Sequence, residues 1–233
     1  TSQVQGLTSA QVNALTTSNL AALQTQQVAS LSTTQLDGLA TAGAVALTTA
    51  QVQALSTAQL QKLNTTAVSN LKTSQVTAML TAQVNALTQA QVQNLSTQQV
   101  NALLTSQVQA LSTDQVGYLS SAQVKNLTTA QLQTLSSSQI THVSSSGLTQ
   151  LSTAQVVALT TESVSALTNA QVIGLVTAQV SALLTSQVAA LSTSSIVALE
   201  DADLSALTTV QMRALSSGQL QALSTGDVAL LST

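Results

Sequence analysis

The chain has 233 residues, carries four Lys or Arg against seven Asp or Glu, and contains no Phe, Trp, Cys or Pro. Its bases, Lys62, Lys72, Lys125 and Arg213, are scattered, so no basic face is expected and nucleic acid is excluded as a partner. Ser, Thr and Gln interrupt every apolar run well before the roughly 20 residues that cross a bilayer, so no membrane insertion is expected.

The chain repeats every eight residues. From Leu7 to Leu230 it divides into 28 consecutive octads without an insertion or deletion. We number the octad from its first Leu, so that the consensus is Leu-Ser/Thr-Thr-Ala-Gln-Val-x-Ala. Position one is Leu except at Met79 and Val143, position five is Gln in 20 of the 28 octads, and position six is Val, Leu, Ile or Met except at Ala44. The repeat predicts one continuous domain over residues 1–233.

Each octad contains the signals of a helix start. Ser112 followed by Gln115 is a capping box, and Leu111 and Val116 have the spacing of a hydrophobic staple. Val at position six and the next Leu are three residues apart, which places them on one face of a helical turn. We therefore predict a short helix in every octad.

The helix ends and the charges agree with this interpretation. Position eight is Gly or Asn in several octads, which predicts left-handed helix ends. These residues are Gly6, Gly38, Asn70, Asn94, Asn126 and Gly174. Most acids are at positions two to five and most bases at positions seven or eight, as the helix dipole favours. The predicted fold class is all-α, with a β-solenoid as the alternative because ladders of Thr and Gln also suit stacked strands.

Helices this short must stack to be stable, so the repeat predicts a solenoid. The unusual residues Asn19, Gly43 and Ala67 are 24 residues apart, and Ser163 has the same phase. Leu80, Leu104 and Val176, at position two, share another 24-residue phase. We predict three octads in each coil of about 24 residues, with two octads per coil as the alternative. At a helix spacing of roughly 9 Å, the first choice gives a rod of about 80 Å and the second a rod of about 125 Å.

The stretch LTTAQVQALSTAQL at 47–60 resembles the octapeptide-repeat tracts of large bacterial secreted or surface proteins. The resemblance implies an extracellular or cell-surface structural role, as a filament, stalk or adhesin shaft, and it assigns no functional residue.

Few residues suggest chemistry. The single His, His142, and the single Tyr, Tyr118, both stand at position eight, where a substitution at a helix end is the simpler interpretation. Glu200, Asp201 and Asp203 lack the glycine and the ligand set of a calcium loop, so we interpret them as acids at a helix N-terminus. We expect no enzyme, no catalytic or metal-binding residue, and no cofactor.

Thr1 and Thr233 both occupy position three, and neither end shows an atypical capping repeat. The expectation is a part of a longer repeat array, or a fibre subunit that stacks end to end or laterally on other copies of itself. The alternative function is a regular Thr and Gln surface that binds a periodic ligand such as polysaccharide or ice. Because Thr recurs on all three predicted sides, the structural role is favoured.

Overall fold

The computed structural model describes residues 2–37, 39 and 41–231, and within these ranges it is helical and has no strand. The chain divides into two compact units, Thr1–Tyr118 and Leu119–Thr233. The helices of the first unit are α1 Ser2–Gln5, α2 Ser9–Asn13, α3 Thr17–Ala22, α4 Thr25–Ala29, α5 Thr33–Asp37, α6 Thr41–Ala46, α7 Thr49–Ala54, α8 Thr57–Lys62, α9 Thr65–Asn70, α10 Thr73–Ala78, α11 Thr81–Asn85, α12 Gln89–Asn94, α13 Thr97–Ala102, α14 Thr105–Ala110 and α15 Thr113–Gly117.

The helices of the second unit are α16 Ser121–Lys125, α17 Thr129–Gln133, α18 Ser137–Ile140, α19 Ser145–Thr149, α20 Thr153–Val157, α21 Thr161–Ala166, α22 Asn169–Ile173, α23 Thr177–Ala182, α24 Thr185–Ala190, α25 Thr193–Val197, α26 Asp201–Ser205, α27 Thr209–Ala214, α28 Ser217–Ala222 and α29 Thr225–Leu230. The predicted all-α class, with one short helix in each octad, is confirmed. The β-solenoid alternative is wrong for the described residues.

Many of the helix starts are the predicted capping boxes. Ser112 precedes α15 in an extended conformation, and its hydroxyl accepts the N–H of Gln115 at 3.1 Å. The side-chain oxygen of Gln115 accepts the N–H of Ser112 at 2.9 Å in return. These two bonds satisfy backbone donors that a helix start leaves without intrahelical partners.

The helix ends differ from the prediction. No described residue has a positive φ, so the Gly and Asn residues at position eight do not form left-handed ends. In some helices the C-cap is position eight itself in a right-handed conformation, as at Gly174 after α22, and in others it is the next Leu in an extended conformation. Leu55 follows α7 with φ −64° and ψ 135°, and its N–H donates to Val52 O at 3.2 Å, which closes the last turn tightly. Gly38 lies outside the described residues, as do Thr1 and Thr233.

The core of each unit consists of positions one and six. Position-six side chains from Val12 to Leu204 are at most 2% exposed, and position-one side chains from Leu31 to Leu207 are at most 5% exposed. Both positions therefore face inward, as their spacing of three residues predicts.

Three octads complete one coil in each unit. In the first unit α2 packs on α5, α5 on α8 and α8 on α11. In the second unit α16 packs on α19, α19 on α22 and α22 on α25. Helices that stack on each other are thus three octads apart, which confirms the coil of about 24 residues and excludes two octads per coil. Gly43 shows the effect on sequence, since a Cβ there would lie 3.0 Å from the Leu20 side chain of the neighbouring coil.

Candidate functional site

The glutamines at position five form the most regular polar feature of the chain. In the first unit they are buried from Gln51 through Gln115, with 1–4% of each residue exposed. A buried primary amide is costly unless its donors and acceptor all find partners. The partners of these amides therefore show what the repeat is built to do.

The oxygen end of each amide caps its own helix. In α11, Gln83 Oε1 accepts the N–H of Leu80 at 2.8 Å. The same bond forms whether position two is Ser, Thr or an apolar residue, because it uses only the backbone of that residue. This explains how Leu80 and Leu104 replace the capping hydroxyl without loss of the helix start.

The nitrogen end of each amide crosses to the neighbouring coil. Gln83 Nε2 donates to Val52 O at 2.8 Å and to Leu55 O at 2.7 Å. The partners are 31 and 28 residues earlier in the chain, at the link between α7 and α8. The bond to the position-one carbonyl is 2.6–2.8 Å throughout both units, from Gln35, Gln51, Gln59, Gln75, Gln83, Gln91, Gln99, Gln107, Gln115, Gln155, Gln171, Gln179, Gln187, Gln211 and Gln219.

One side chain thus satisfies backbone groups of two coils. The last carbonyls of a helix have no intrahelical donor, and in a chain of helices this short such carbonyls recur every eight residues. Gln fills this need because it has an acceptor at one end and a donor at the other. Sequence reasoning identified the capping oxygen but missed the crossing nitrogen. The available signal was that Glu, which caps equally well, never occurs at position five.

Two octads without Gln replace the lost donor locally. Before α9, where position five is Ala67, Asn64 Oδ1 accepts the N–H of Ala67 at 2.8 Å and Asn64 Nδ2 approaches Leu39 O at 3.4 Å. In α21, Ser163 Oγ donates to Leu135 O at 3.2 Å. In both octads the donor reaches the carbonyl 28 residues before position five, so the inter-coil bond is retained by a different atom.

Asp203 has no such replacement. It stands at position five of α26 and is only 3% exposed. A carboxylate cannot donate to the carbonyls of Val172 and Leu175, the residues 31 and 28 places earlier. At this octad the second unit therefore lacks the bond that glutamines provide at position five of other octads.

The residues that suggested chemistry in the sequence all serve helix ends. His142 Nδ1 lies 2.8 Å from Ser138 O, and because a carbonyl only accepts, the ring nitrogen donates. The N–H of Tyr118 donates to Asp114 O at 2.9 Å. Glu200 precedes α26, and Asp201 and Asp203 are in its first turn. No group of three His, Cys, Asp or Glu residues that would suit a metal ion occurs within the described ranges.

The second unit has an open surface depression of about 370 Å³. It is lined by Asn169, Thr193, Ser194, Val197, Ala198 and Ala222. Ile173 and Val197, which stand at position seven of α22 and α25, are each 47% exposed. This depression contains no titratable side chain among its lining residues.

Comparison with known proteins gives a result for the repeat alone. A family model described as the ALTTAQ repeat matches residues 20–57, 89–121, 97–129 and 196–233. No curated protein matches the chain. Every helix among the described residues is too short and too polar to span a bilayer.

Proposed function

The chain belongs to the ALTTAQ repeat family, and on this premise we propose that it is a structural protein, an elongated rod or fibre component outside a bacterial cell. In this proposal the chain supplies length and a uniform surface, and it supplies no catalytic residue. Its partners are other copies of itself, and its place is the extracellular space or the cell surface, as part of a filament, stalk or adhesin shaft.

The observation that carries the proposal is the repetition of one bonding pattern in both units. Gln51 binds the carbonyl of Leu23, and Gln179 binds that of Leu151, at 2.6 and 2.7 Å. Each octad with Gln at position five therefore contributes the same inter-coil bonds, and stability is a sum over adjacent coils. Such a chain can be lengthened coil by coil without any change in its chemistry, which suits a spacer or fibre.

The composition supports an exposed location. Four Lys and Arg residues in 233 leave few cleavage points for proteases that require a basic residue. Because the chain contains no Cys, its fold does not depend on the redox state of the compartment. The resemblance of 47–60 to repeat tracts of bacterial secreted or surface proteins points in the same direction.

Immunogold electron microscopy of the native cells tests the proposal. An antibody raised against the purified chain is expected to label elongated material outside the cell, and labelling should disappear when the antibody is first absorbed with the chain. Gold particles confined to the cytoplasm would contradict the extracellular role. The alternative of a Thr and Gln array that binds polysaccharide or ice stays a prediction. It is the less favoured function, because Thr at position three recurs on all three sides of the coil and is not confined to one binding face.

A further inference from the structure

The boundary between the coil α19–α21 and the coil α22–α24 is hydrogen-bonded on all three of its sides. Every position-five side chain of the later coil donates to a position-one carbonyl of the earlier coil at 2.7 Å, from Gln171, Gln179 and Gln187. On one side a second bond runs in the opposite direction, since Thr149 Oγ1 of α19 donates to Gly174 O at 2.7 Å. The next boundary along the chain differs from this one.

The boundary between the coils α22–α24 and α25–α27 keeps one of these three amides. Gln211 Nε2 of α27 donates to Leu183 O at 2.7 Å. Position five of α25 is Ser195, whose Oγ accepts a hydrogen bond from Ser192 Oγ at 2.7 Å and donates to no described carbonyl. Position five of α26 is Asp203, and a carboxylate has no proton to donate. Two of the three sides therefore lack the amide bond.

The carbonyls that would receive these bonds lie on either side of α22. Those of Leu167 and Leu175 accept no hydrogen bond from any residue that the structure describes. The bond in the opposite direction is missing as well, because position seven of α22 is Ile173, which has no donor where α19 has Thr149. Within the described ranges, no side-chain hydrogen bond thus joins α22 to α25 or α23 to α26.

Apolar contacts hold these two sides together. The position-six side chains Val172 and Ile196 are fully buried, and the position-one side chains Leu175 and Leu199 are 5% exposed. Burial of apolar surface stabilises the stack but is non-directional, whereas a hydrogen bond requires a defined distance and angle. The surface depression described above lies over this stack, with lining residues from both α22 and α25. The two sides thus resist separation less than the bonded boundary before them.

We propose that this boundary is a hinge, at which α25 and α26 separate from α22 and α23 while α27 stays bonded to α24. The inference rests on the proposed structural role and specifies where a rod of this repeat gives way to bending. Local opening occurs where a structure has the fewest stabilising contacts. A bending force that acts on all coils should therefore open this boundary first, and the chain can bend there without loss of the other coils.

Thiol labelling of single-cysteine variants tests the hinge, since the chain has no Cys of its own. Val172→Cys places a thiol in α22 beside the proposed opening, and Val188→Cys places one in α24, on the side that keeps its amides. Both valines are 0% exposed, so a water-soluble aromatic disulfide reaches either thiol only after opening. Without denaturant, Val172→Cys should react at least about tenfold faster, because its boundary lacks roughly two hydrogen bonds. Equal rates would overturn the hinge.

The rescue experiment restores the two missing amides. Ser195→Gln with Asp203→Gln, made in the Val172→Cys chain, should slow labelling to about the rate of the α24 variant. The matched control is Ser194→Gln with Asp201→Gln, which places the same side chains at exposed positions four and three of the same two helices. It should leave the fast labelling unchanged. Equal slowing by both pairs, or no slowing by the first pair, would refute the proposal.

Native-state hydrogen exchange tests the hinge without any substitution. The N–H of Leu204 in α26 donates to Glu200 O at 3.0 Å, and that of Val188 in α24 donates to Leu184 O at 2.9 Å. Helices this short do not persist without neighbours, so opening exposes the first amide. Leu204 should exchange at least about tenfold faster than Val188, while Met212 in α27 stays as protected as Val188. Faster exchange at Met212 than at Leu204 would indicate progressive unravelling and would contradict the hinge.

The two proposals fail separately. Immunogold labelling outside the cell together with equal thiol reactivity at the two positions would leave the structural role and remove the hinge. Fast labelling of Val172→Cys in a chain that is confined to the cytoplasm would keep the hinge and remove the extracellular role.

Discussion

At the scale of the residue, the fold depends on a primary amide in a place where most proteins have an apolar side chain. Gln83 is 2% exposed, yet its side-chain oxygen accepts the N–H of Leu80 and its side-chain nitrogen donates to the carbonyls of Val52 and Leu55. The amide is tolerated in the core because each of its hydrogen-bonding ends has a partner. Its contribution is best judged by what its removal would leave unpaired.

Gln83→Ala should therefore destabilise the first unit strongly. It leaves the N–H of Leu80 and the carbonyl of Leu55 without a partner, while the carbonyl of Val52 keeps the N–H of Leu55. Each buried unsatisfied group costs about 1–3 kcal/mol. The control Gln53→Ala removes an exposed Gln at position seven of the octad that contains α7 and should change the free energy of unfolding by less than about 0.5 kcal/mol. Urea denaturation followed by circular dichroism measures both. A similar loss for the two variants would mean that the crossing bonds contribute little.

Asp203→Gln should stabilise the second unit. The substitution supplies an amide donor for the carbonyls of Val172 and Leu175, and the gain should be about 1 kcal/mol per new hydrogen bond. Asp201→Asn in the same helix is the control, because Asp201 is exposed and gains no such partner. Thermal unfolding of the two variants and the native chain decides the matter, and a lower midpoint for Asp203→Gln would show that the carboxylate has a role of its own.

At the scale of the element, each helix has only four to six residues, so the two ends make up almost the whole helix. In α7 the start is closed by Thr48 and Gln51 and the end by the extended Leu55. Such a helix has too few internal bonds to offset the cost of nucleation. Its stability must come from the helices above and below it.

A peptide of one coil, residues 87–110, should accordingly show little helix in water. Its three helices have no neighbouring coil, so the Gln amides lack acceptors and the Leu and Val side chains remain exposed. A 72-residue peptide of residues 47–118, about three coils, should be folded, since three or more repeats are generally needed. Circular dichroism compares them, and a helical spectrum from the single coil would show that each helix is stable by itself.

The helices themselves were predictable because their signals are local. Ser112 and Gln115 are three residues apart, and their capping box could be identified from the sequence alone. The partner of the Gln115 nitrogen was not predictable in the same way, because Leu87 is 28 residues away and becomes a neighbour only once the coil has three sides. The helix ends were wrongly predicted at residues such as Gly174, which ends α22 in a right-handed conformation with φ −76°.

At the scale of the whole molecule, each unit is a stack in which coils are interchangeable. Within the first unit, Gln99 binds the carbonyl of Leu71 and Gln91 that of Leu63, with the same distance of 2.8 Å. The three sides of the coil thus use one set of contacts. The octad, and not the coil, is therefore the unit that can be exchanged.

Deletion of one whole octad, residues 87–94, should be tolerated. Gln99 then meets the carbonyl of Leu63 in place of Leu71, and positions one and six still face the core. Deletion of residues 87–90 shifts the pattern by half an octad and brings polar residues to core positions, each at a cost of several kcal/mol. Circular dichroism and urea unfolding should show a native-like chain in the first case and loss of structure in the second. Equal stability of the two deletions would contradict the octad register.

The exchangeable octad has a consequence for inheritance. Where neighbouring octads are encoded by similar stretches of DNA, slippage or unequal recombination between them adds or removes whole repeats. Gln99 binds the carbonyl of Leu71 and would have the equivalent carbonyl of Leu63 as its partner if one octad were lost. Loss of a whole octad by misaligned replication should therefore yield a shorter chain that still folds. We therefore expect related chains to differ in length by multiples of eight residues, and we expect substitutions at position five and at the two core positions to be the ones that impair folding.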